Sequence, residues 1–99
     1  MAVLMENRVE QSTPEIYDAV AAKLDVENDP PAGMIVHTAS AMEGGGVRIV
    51  DVWESQEAFE KFRDERLMPA LQAVLSEKGI TPAGPPTYEF SELHHLARS

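Results

Sequence analysis

Cysteine is absent from this 99-residue chain. Its absence excludes disulfides, thiolate nucleophiles and cysteine-ligated metal or iron–sulfur sites. The sequence also lacks any apolar run near the roughly 20 residues of a membrane span. Its first residues, MAVLMENRVE, carry charges too early for a secretory signal. We therefore expect a soluble cytoplasmic protein that has no membrane partner.

Basic residues are few, since 8 Lys and Arg stand against 17 Asp and Glu, and the formal net charge is −9. A surface of this sign repels the phosphates of nucleic acids and of anionic lipids. The sequence therefore predicts no nucleic-acid partner. The acidic residues are spread along the chain, which is typical of solvated faces.

A single domain over residues 1–99 accounts for the whole chain, because about 100 residues is a common domain size. Alternation of apolar and polar residues and the turn-forming segments predict four strands, at 2–10, 34–42, 47–53 and 87–96. A helix is predicted over 12–24, with Ser12 or Thr13 as its cap. A second helix is predicted after Ser55, with a kink or break near Leu67 and Met68 that Pro69 causes.

This order of elements, β-α-β-β-α-β, predicts an α+β ferredoxin-like fold with a four-stranded antiparallel sheet and both helices on one face. Simple alternation places apolar residues on both faces of the middle strands: Met34 and Val36 oppose Ile35 and Ala39, and Val47, Ile49 and Trp53 oppose Val50 and Val52. Two helices cover only one face. We therefore expect a homodimer in which two sheets cover each other.

The segments VLMENRVE and VRIVDVWESQEAFEKF, in this order of elements, resemble the dimeric α+β barrel superfamily, in particular its antibiotic-biosynthesis-monooxygenase-like branch. The resemblance spans nearly the whole chain, and the junction VDVWESQEAFEKF is its most specific part. It implies a dimeric α+β barrel. It leaves the activity open among monooxygenases, haem enzymes, isomerases and ligand-sensing domains.

The tripeptide ENR at residues 6–8 resembles the haem-degrading members, in which an asparagine on the first strand lies in the cleft. Those members place a tryptophan and a haem-ligating histidine where this chain has Phe62 and Gln72. The resemblance therefore implies that no haem is bound. We expect no cofactor.

Within the monooxygenase-like branch, the resemblance implies a cofactor-independent enzyme acting on a small aromatic or polyketide-type metabolite. Such an enzyme binds its substrate in a dry pocket, removes a proton and stabilises the anion. His37 is the candidate base, because histidine accepts protons near neutral pH. Asn7 is the candidate hydrogen-bonding group. Trp53, Tyr17, Phe59 and Phe62 are the candidate aromatic wall.

Each of these residues also has a structural interpretation. His37 could be hydrogen-bonded packing, Asn7 could satisfy backbone groups, and the aromatic residues could form the core. Asp51 is either an exposed strand residue or a partner for a histidine. The alternative functions are a cyclase or isomerase that moves only protons, and a non-catalytic dimeric module that binds a small molecule.

His94 and His95 are neighbours in a predicted strand, where their side chains should point to opposite faces. Two such residues cannot readily ligate one metal ion. The sequence therefore predicts no metal site.

Overall fold

Four strands and three α-helices form within residues 2–10, 12–81 and 87–97, which are the residues that the computed structural model describes. In chain order they are β1 (Val3–Val9), α1 (Pro14–Leu24), β2 (Met34–Ala41), β3 (Val47–Trp53), α2 (Gln56–Phe62), α3 (Met68–Lys78) and β4 (Glu89–Glu92). A π-helical segment, Arg63–Leu67, joins α2 to α3. The predicted β-α-β-β-α-β order is confirmed.

Side-chain caps set where the helices begin. Thr13 Oγ1 accepts a hydrogen bond from the Ile16 amide at 3.2 Å, and Ser55 Oγ accepts one from the Ala58 amide at 3.1 Å. Each bond satisfies an amide that has no partner inside its helix. The α3 helix ends at Gly79, whose left-handed conformation, with φ of 67°, suits a residue without Cβ.

The sheet is antiparallel throughout, with the strand order β2-β3-β1-β4. Its helix-facing side buries Met5 and Trp53 against Phe59 and Phe62 of α2. This aromatic cluster is the core, and the fold is the predicted α+β ferredoxin-like one. No helix of the described segments is both long and apolar enough to cross a membrane.

A bulge in β2 corrects the prediction that Met34 and Val36 share a face. The register shifts between these two residues, and His37 then pairs directly with Asp51. The extra residue places both Met34 and His37 on the helix-facing side. Val36 pairs with Val52 and lies on the other side.

The predicted kink at Pro69 takes the form of a π-helical turn. The Met68 amide bonds to the Arg63 carbonyl, five residues earlier, and the helical path continues into α3 without a break. Proline has no amide hydrogen and disfavours a regular α-helix before it, so a wider turn is a physical way to continue. The turn includes Leu67, which reaches the interior of the fold.

The fourth strand is shorter than the sequence predicts, because it covers Glu89–Glu92 and not 87–96. Glu92 pairs with Val3, the first residue of β1, so the partner strand ends there. His94 and His95 are therefore exposed and outside the strand, which corrects their predicted placement.

The outer face of the sheet, which no described helix covers, is apolar over one half only. Leu4, Val36 and Val52 form that half, as their register pairs show, whereas Val50 lies beyond them, between Glu6 and Thr38. In the other half, Glu6 accepts hydrogen bonds from Arg8 Nε at 2.9 Å and Arg48 Nη2 at 2.7 Å. The bond from Arg48 holds the pKa of Glu6 below its usual value.

Candidate active site

A cavity of about 220 Å³ lies between the sheet and the helices. Most of its lining is apolar, and all three α-helices contribute to it: Ile16, Val20, Ala21 and Leu24 of α1, Phe59 and Phe62 of α2, and Leu71 and Leu75 of α3. An apolar cavity of about 150 Å³ is large enough to hold benzene. This cavity therefore has room for a small aromatic ring system.

Four side chains in and behind the cavity wall form a continuous chain of hydrogen bonds. Tyr17 Oη lies 2.6 Å from His37 Nε2, and His37 Nδ1 lies 2.7 Å from Asp51 Oδ1. Behind them, Trp53 Nε1 donates to Asp51 Oδ2 at 3.2 Å. A carboxylate only accepts hydrogen bonds, so the neutral imidazole carries its hydrogen on Nδ1. Its Nε2 atom then accepts from the Tyr17 hydroxyl.

The fold brings these residues together from three elements. His37 and Asp51 are a directly opposed pair of β2 and β3, on the face that the bulge gives to His37. Trp53 follows two residues later on the same face of β3. Tyr17 reaches down from α1, and its ring lies nearly parallel to the imidazole, at 14° with 6.1 Å between centroids.

Burial decides the protonation state of the tyrosine. Asp51 is only 2% exposed, and its carboxylate is held by two donors. Burial raises the pKa of Tyr17 above its usual value, and the nearby negative charge of Asp51 raises it further. Tyr17 therefore keeps its proton at neutral pH and donates it to His37.

Asn7 lines the same cavity and carries a buried, unpaired acceptor. Its side chain is 6% exposed, and no donor in the described part of the chain reaches its Oδ1 atom. A buried acceptor without a partner costs about 1–3 kcal/mol. A ligand hydroxyl or N–H would remove this cost.

The candidate residues from the sequence fall into two groups. Asn7, His37, Tyr17, Phe59 and Phe62 all line the cavity. Trp53 does not line it; it is fully buried behind Asp51, where its ring packs against Phe59 and Phe62.

Two roles were missed or left open at the sequence level. Asp51 is the buried hydrogen-bond partner of His37, one of the two alternatives for this residue. The Tyr17 hydroxyl bonds to His37 in addition to forming part of the wall. Within residues 2–10, 12–81 and 87–97, no group of three His, Asp or Glu side chains is arranged to hold a metal ion.

Comparisons with known proteins identify the fold. No family model matches the sequence, and no curated protein resembles it in sequence. The structure superposes on Rv0793 of Mycobacterium tuberculosis with a TM-score of 0.63 and 17% identity, over 99% of this chain and 100% of that one. It superposes on SnoaB, a cofactor-independent oxygenase from Streptomyces nogalater, with a TM-score of 0.61 and 12% identity, over 96% of this chain and 94% of that one.

A candidate antibiotic biosynthesis monooxygenase from Chloroflexus aurantiacus J-10-fl superposes with a TM-score of 0.64 and 15% identity, over 99% of this chain and 98% of that one. The chain therefore has the fold of the antibiotic-biosynthesis-monooxygenase-like proteins, as the sequence resemblance predicted. At these identities the likeness is one of fold.

Proposed function

We propose that this protein is a cofactor-independent, monooxygenase-like enzyme that removes a proton from a small phenolic aromatic or polyketide-type compound. The observation that carries the proposal is the Asp51–His37–Tyr17 chain at the wall of an apolar cavity. His37 takes up the substrate proton, and the buried Asp51 carboxylate stabilises the imidazolium that forms.

The chemistry of the lining limits the substrate class. Among residues 2–10, 12–81 and 87–97 no Lys or Arg side chain lines the cavity, so those residues offer no counterion to a carboxylate or phosphate there. Asn7 lines the cavity and has an unpaired oxygen, so its side-chain amide is the group that hydrogen-bonds a substrate hydroxyl. These features favour an uncharged, hydroxylated ring compound.

Proton removal prepares such a ring to react with dioxygen. The anion supplies the electrons, so that a ring CH₂ becomes a carbonyl and the second oxygen atom leaves as water. The protein contributes binding, proton uptake and a dry environment in which the hydrogen bonds to the anion are strong. The structural likeness to SnoaB, a cofactor-independent oxygenase, supports this assignment.

The test is turnover of a panel of phenols and anthrones by the wild-type protein and by His37→Gln. Glutamine can still donate to Asp51 but cannot take up a proton, so we expect turnover to fall about 10²–10⁴-fold. His94→Gln is the matched control, because His94 is exposed and remote from the cavity lining. Equal turnover by wild type and His37→Gln would contradict the proposed function.

A cyclase or isomerase that moves only protons is the second candidate. The observation that favours it is that the polar residues lining the cavity, such as Asn7, His37 and Asp51, are groups that hydrogen-bond or handle protons. Oxygen uptake during the same assay separates the two. A monooxygenase consumes one dioxygen per product, whereas a cyclase or isomerase consumes none.

We also propose that two copies associate through their outer sheet faces. The apolar half of this face, formed by Leu4, Val36 and Val52, is a surface that a second sheet can cover. An isologous two-fold pair is the commonest assembly, and about 800 Å² per subunit gives a specific interface.

Val36→Lys tests the dimer, because it places a charge in the apolar half of the outer face, opposite Val52. We expect wild type to sediment as a dimer and Val36→Lys to shift toward the monomer, with the Kd of the dimer raised at least about tenfold. Ala22→Lys adds the same charge at an exposed position of α1 and should stay dimeric. A monomeric wild-type protein at micromolar concentration would contradict this proposal.

A further inference from the structure

Both ring nitrogens of His37 are already engaged. Nδ1 is bonded to Asp51 at 2.7 Å, and Nε2 is bonded to the Tyr17 hydroxyl at 2.6 Å. Although both residues line the cavity, the lone pair of Nε2 is therefore already occupied by the Tyr17 hydroxyl. Direct proton transfer to His37 would require this short hydrogen bond to break first.

We propose that Tyr17 is the catalytic residue that receives the substrate proton, while its own hydroxyl proton moves to His37 Nε2. This inference rests on the proposed function and adds the group that touches the substrate. The substrate O–H or C–H bond breaks and a new O–H bond forms at Tyr17. The old Tyr17 O–H bond breaks and an N–H bond forms at His37. One proton leaves the substrate, His37 gains one, and Tyr17 ends as it began.

The directions of the hydrogen bonds support this path. Because Asp51 accepts from Nδ1–H, Nε2 has its lone pair directed at the Tyr17 hydroxyl. The Trp53 N–H holds the second oxygen of Asp51, so the carboxylate cannot turn away. The Tyr17 hydroxyl donates its one hydrogen to Nε2, which leaves its oxygen free to accept a proton on the cavity side.

The environment also favours a concerted transfer. Burial and the Asp51 charge raise the pKa of Tyr17, so a free phenolate does not accumulate there. A tyrosine of this kind serves as a relay because it gives up one proton as it takes another. The positive charge then rests on His37, beside the Asp51 carboxylate.

Tyr17→Phe is the first test, because it keeps the ring and removes only the hydroxyl. We expect kcat to fall at least about 100-fold, the scale of general acid–base catalysis. The Kd for a bound naphthol should change less than about threefold, because the substitution leaves the hydrogen bond between Asn7 and the naphthol hydroxyl in place. Tyr88→Phe is the matched comparison: Tyr88 lines the same cavity but no hydrogen bond joins it to His37. We expect the kcat of Tyr88→Phe to fall far less than that of Tyr17→Phe.

The outcomes separate this inference from the proposed function. If Tyr17→Phe keeps or increases kcat while His37→Gln loses it, the relay is overturned and direct transfer to His37 stands. If neither variant changes kcat, the proposed function itself is overturned. Loss in both variants, with naphthol binding kept, supports the relay.

A second variant covers the case in which Tyr17→Phe does not fold. The chain has two tyrosines, so fluorotyrosine incorporated into Tyr88→Phe reports on Tyr17 alone. Fluorine lowers the phenol pKa but keeps the shape and the hydroxyl. We expect kcat to change by at least about threefold, as Brønsted behaviour predicts for a proton-transferring group. An unchanged kcat would overturn the relay.

Discussion

Asp51→Asn is expected to lower turnover about 10³-fold or more while the protein stays folded, because this exchange imposes the wrong histidine tautomer. The asparagine oxygen can accept from the Trp53 N–H, which bonds to Asp51 Oδ2 in the wild-type protein. The new amide group then donates to His37 Nδ1, which must lose its hydrogen. The hydrogen moves to Nε2, where it points at Tyr17 and blocks proton uptake.

The measurement is kcat for the best phenol or anthrone, together with thermal unfolding to confirm the fold. Glu57→Gln serves as the control, since Glu57 is exposed on α2 and the exchange removes the same charge. Wild-type turnover by Asp51→Asn would show that the Asp51–His37 bond has no part in the reaction.

Trp53→Ala is expected to have the largest effect on stability, lowering the free energy of unfolding by about 3–5 kcal/mol. The Trp53 side chain is fully buried, and its ring centroid lies 5.5 Å from that of Phe59 and 5.3 Å from that of Phe62. The substitution leaves a large cavity in the core and removes a donor from the buried Asp51 carboxylate.

Trp53→Phe separates these two causes. It keeps an aromatic ring but leaves Asp51 Oδ2 without its donor, so we expect a smaller loss of about 1–3 kcal/mol. Urea unfolding followed by circular dichroism measures both variants, because Trp53 is the single tryptophan and fluorescence is lost with it. A loss below about 1 kcal/mol for Trp53→Ala would contradict its place in the core.

Local signals in the sequence predicted most of the fold. Alternation predicted β3 over 47–53, and the structure has it as Val47–Trp53. Thr13 and Ser55 cap the helices as their residue types favour, and Gly79 ends α3. These features depend on neighbours within a few residues, so sequence reasoning reaches them.

The features that sequence reasoning missed depend on distant parts of the chain. The bulge between Met34 and Val36 places Met34 on the face opposite Val36. The alternation of apolar and polar residues in the sequence does not indicate it. The length of β4 was wrong because its partner β1 begins at Val3. The hydrogen bond of Tyr17 depends on how α1 crosses the sheet.

One part of the site depends on the exact register of the hairpin between β2 and β3. The hairpin joins Ala41 to Val47, and counting back along both strands from that pair places His37 opposite Asp51. An acid opposite a histidine on a helix-covered face is a candidate pair. The predicted strand ends, Met42 and Val47, would have placed His37 opposite Val52, so a shift of one residue hid the role of Asp51 from the sequence.

Hydrogen–deuterium exchange at the acidic CH₂ of an anthrone, measured by NMR without oxygen, tests proton removal most directly. Oxygen chemistry cannot contribute under these conditions, so exchange reports only the breaking of the C–H bond. We expect the wild-type protein to accelerate exchange well above the rate in buffer, and His37→Gln to lose that acceleration. Exchange no faster with the protein than in buffer would contradict the account.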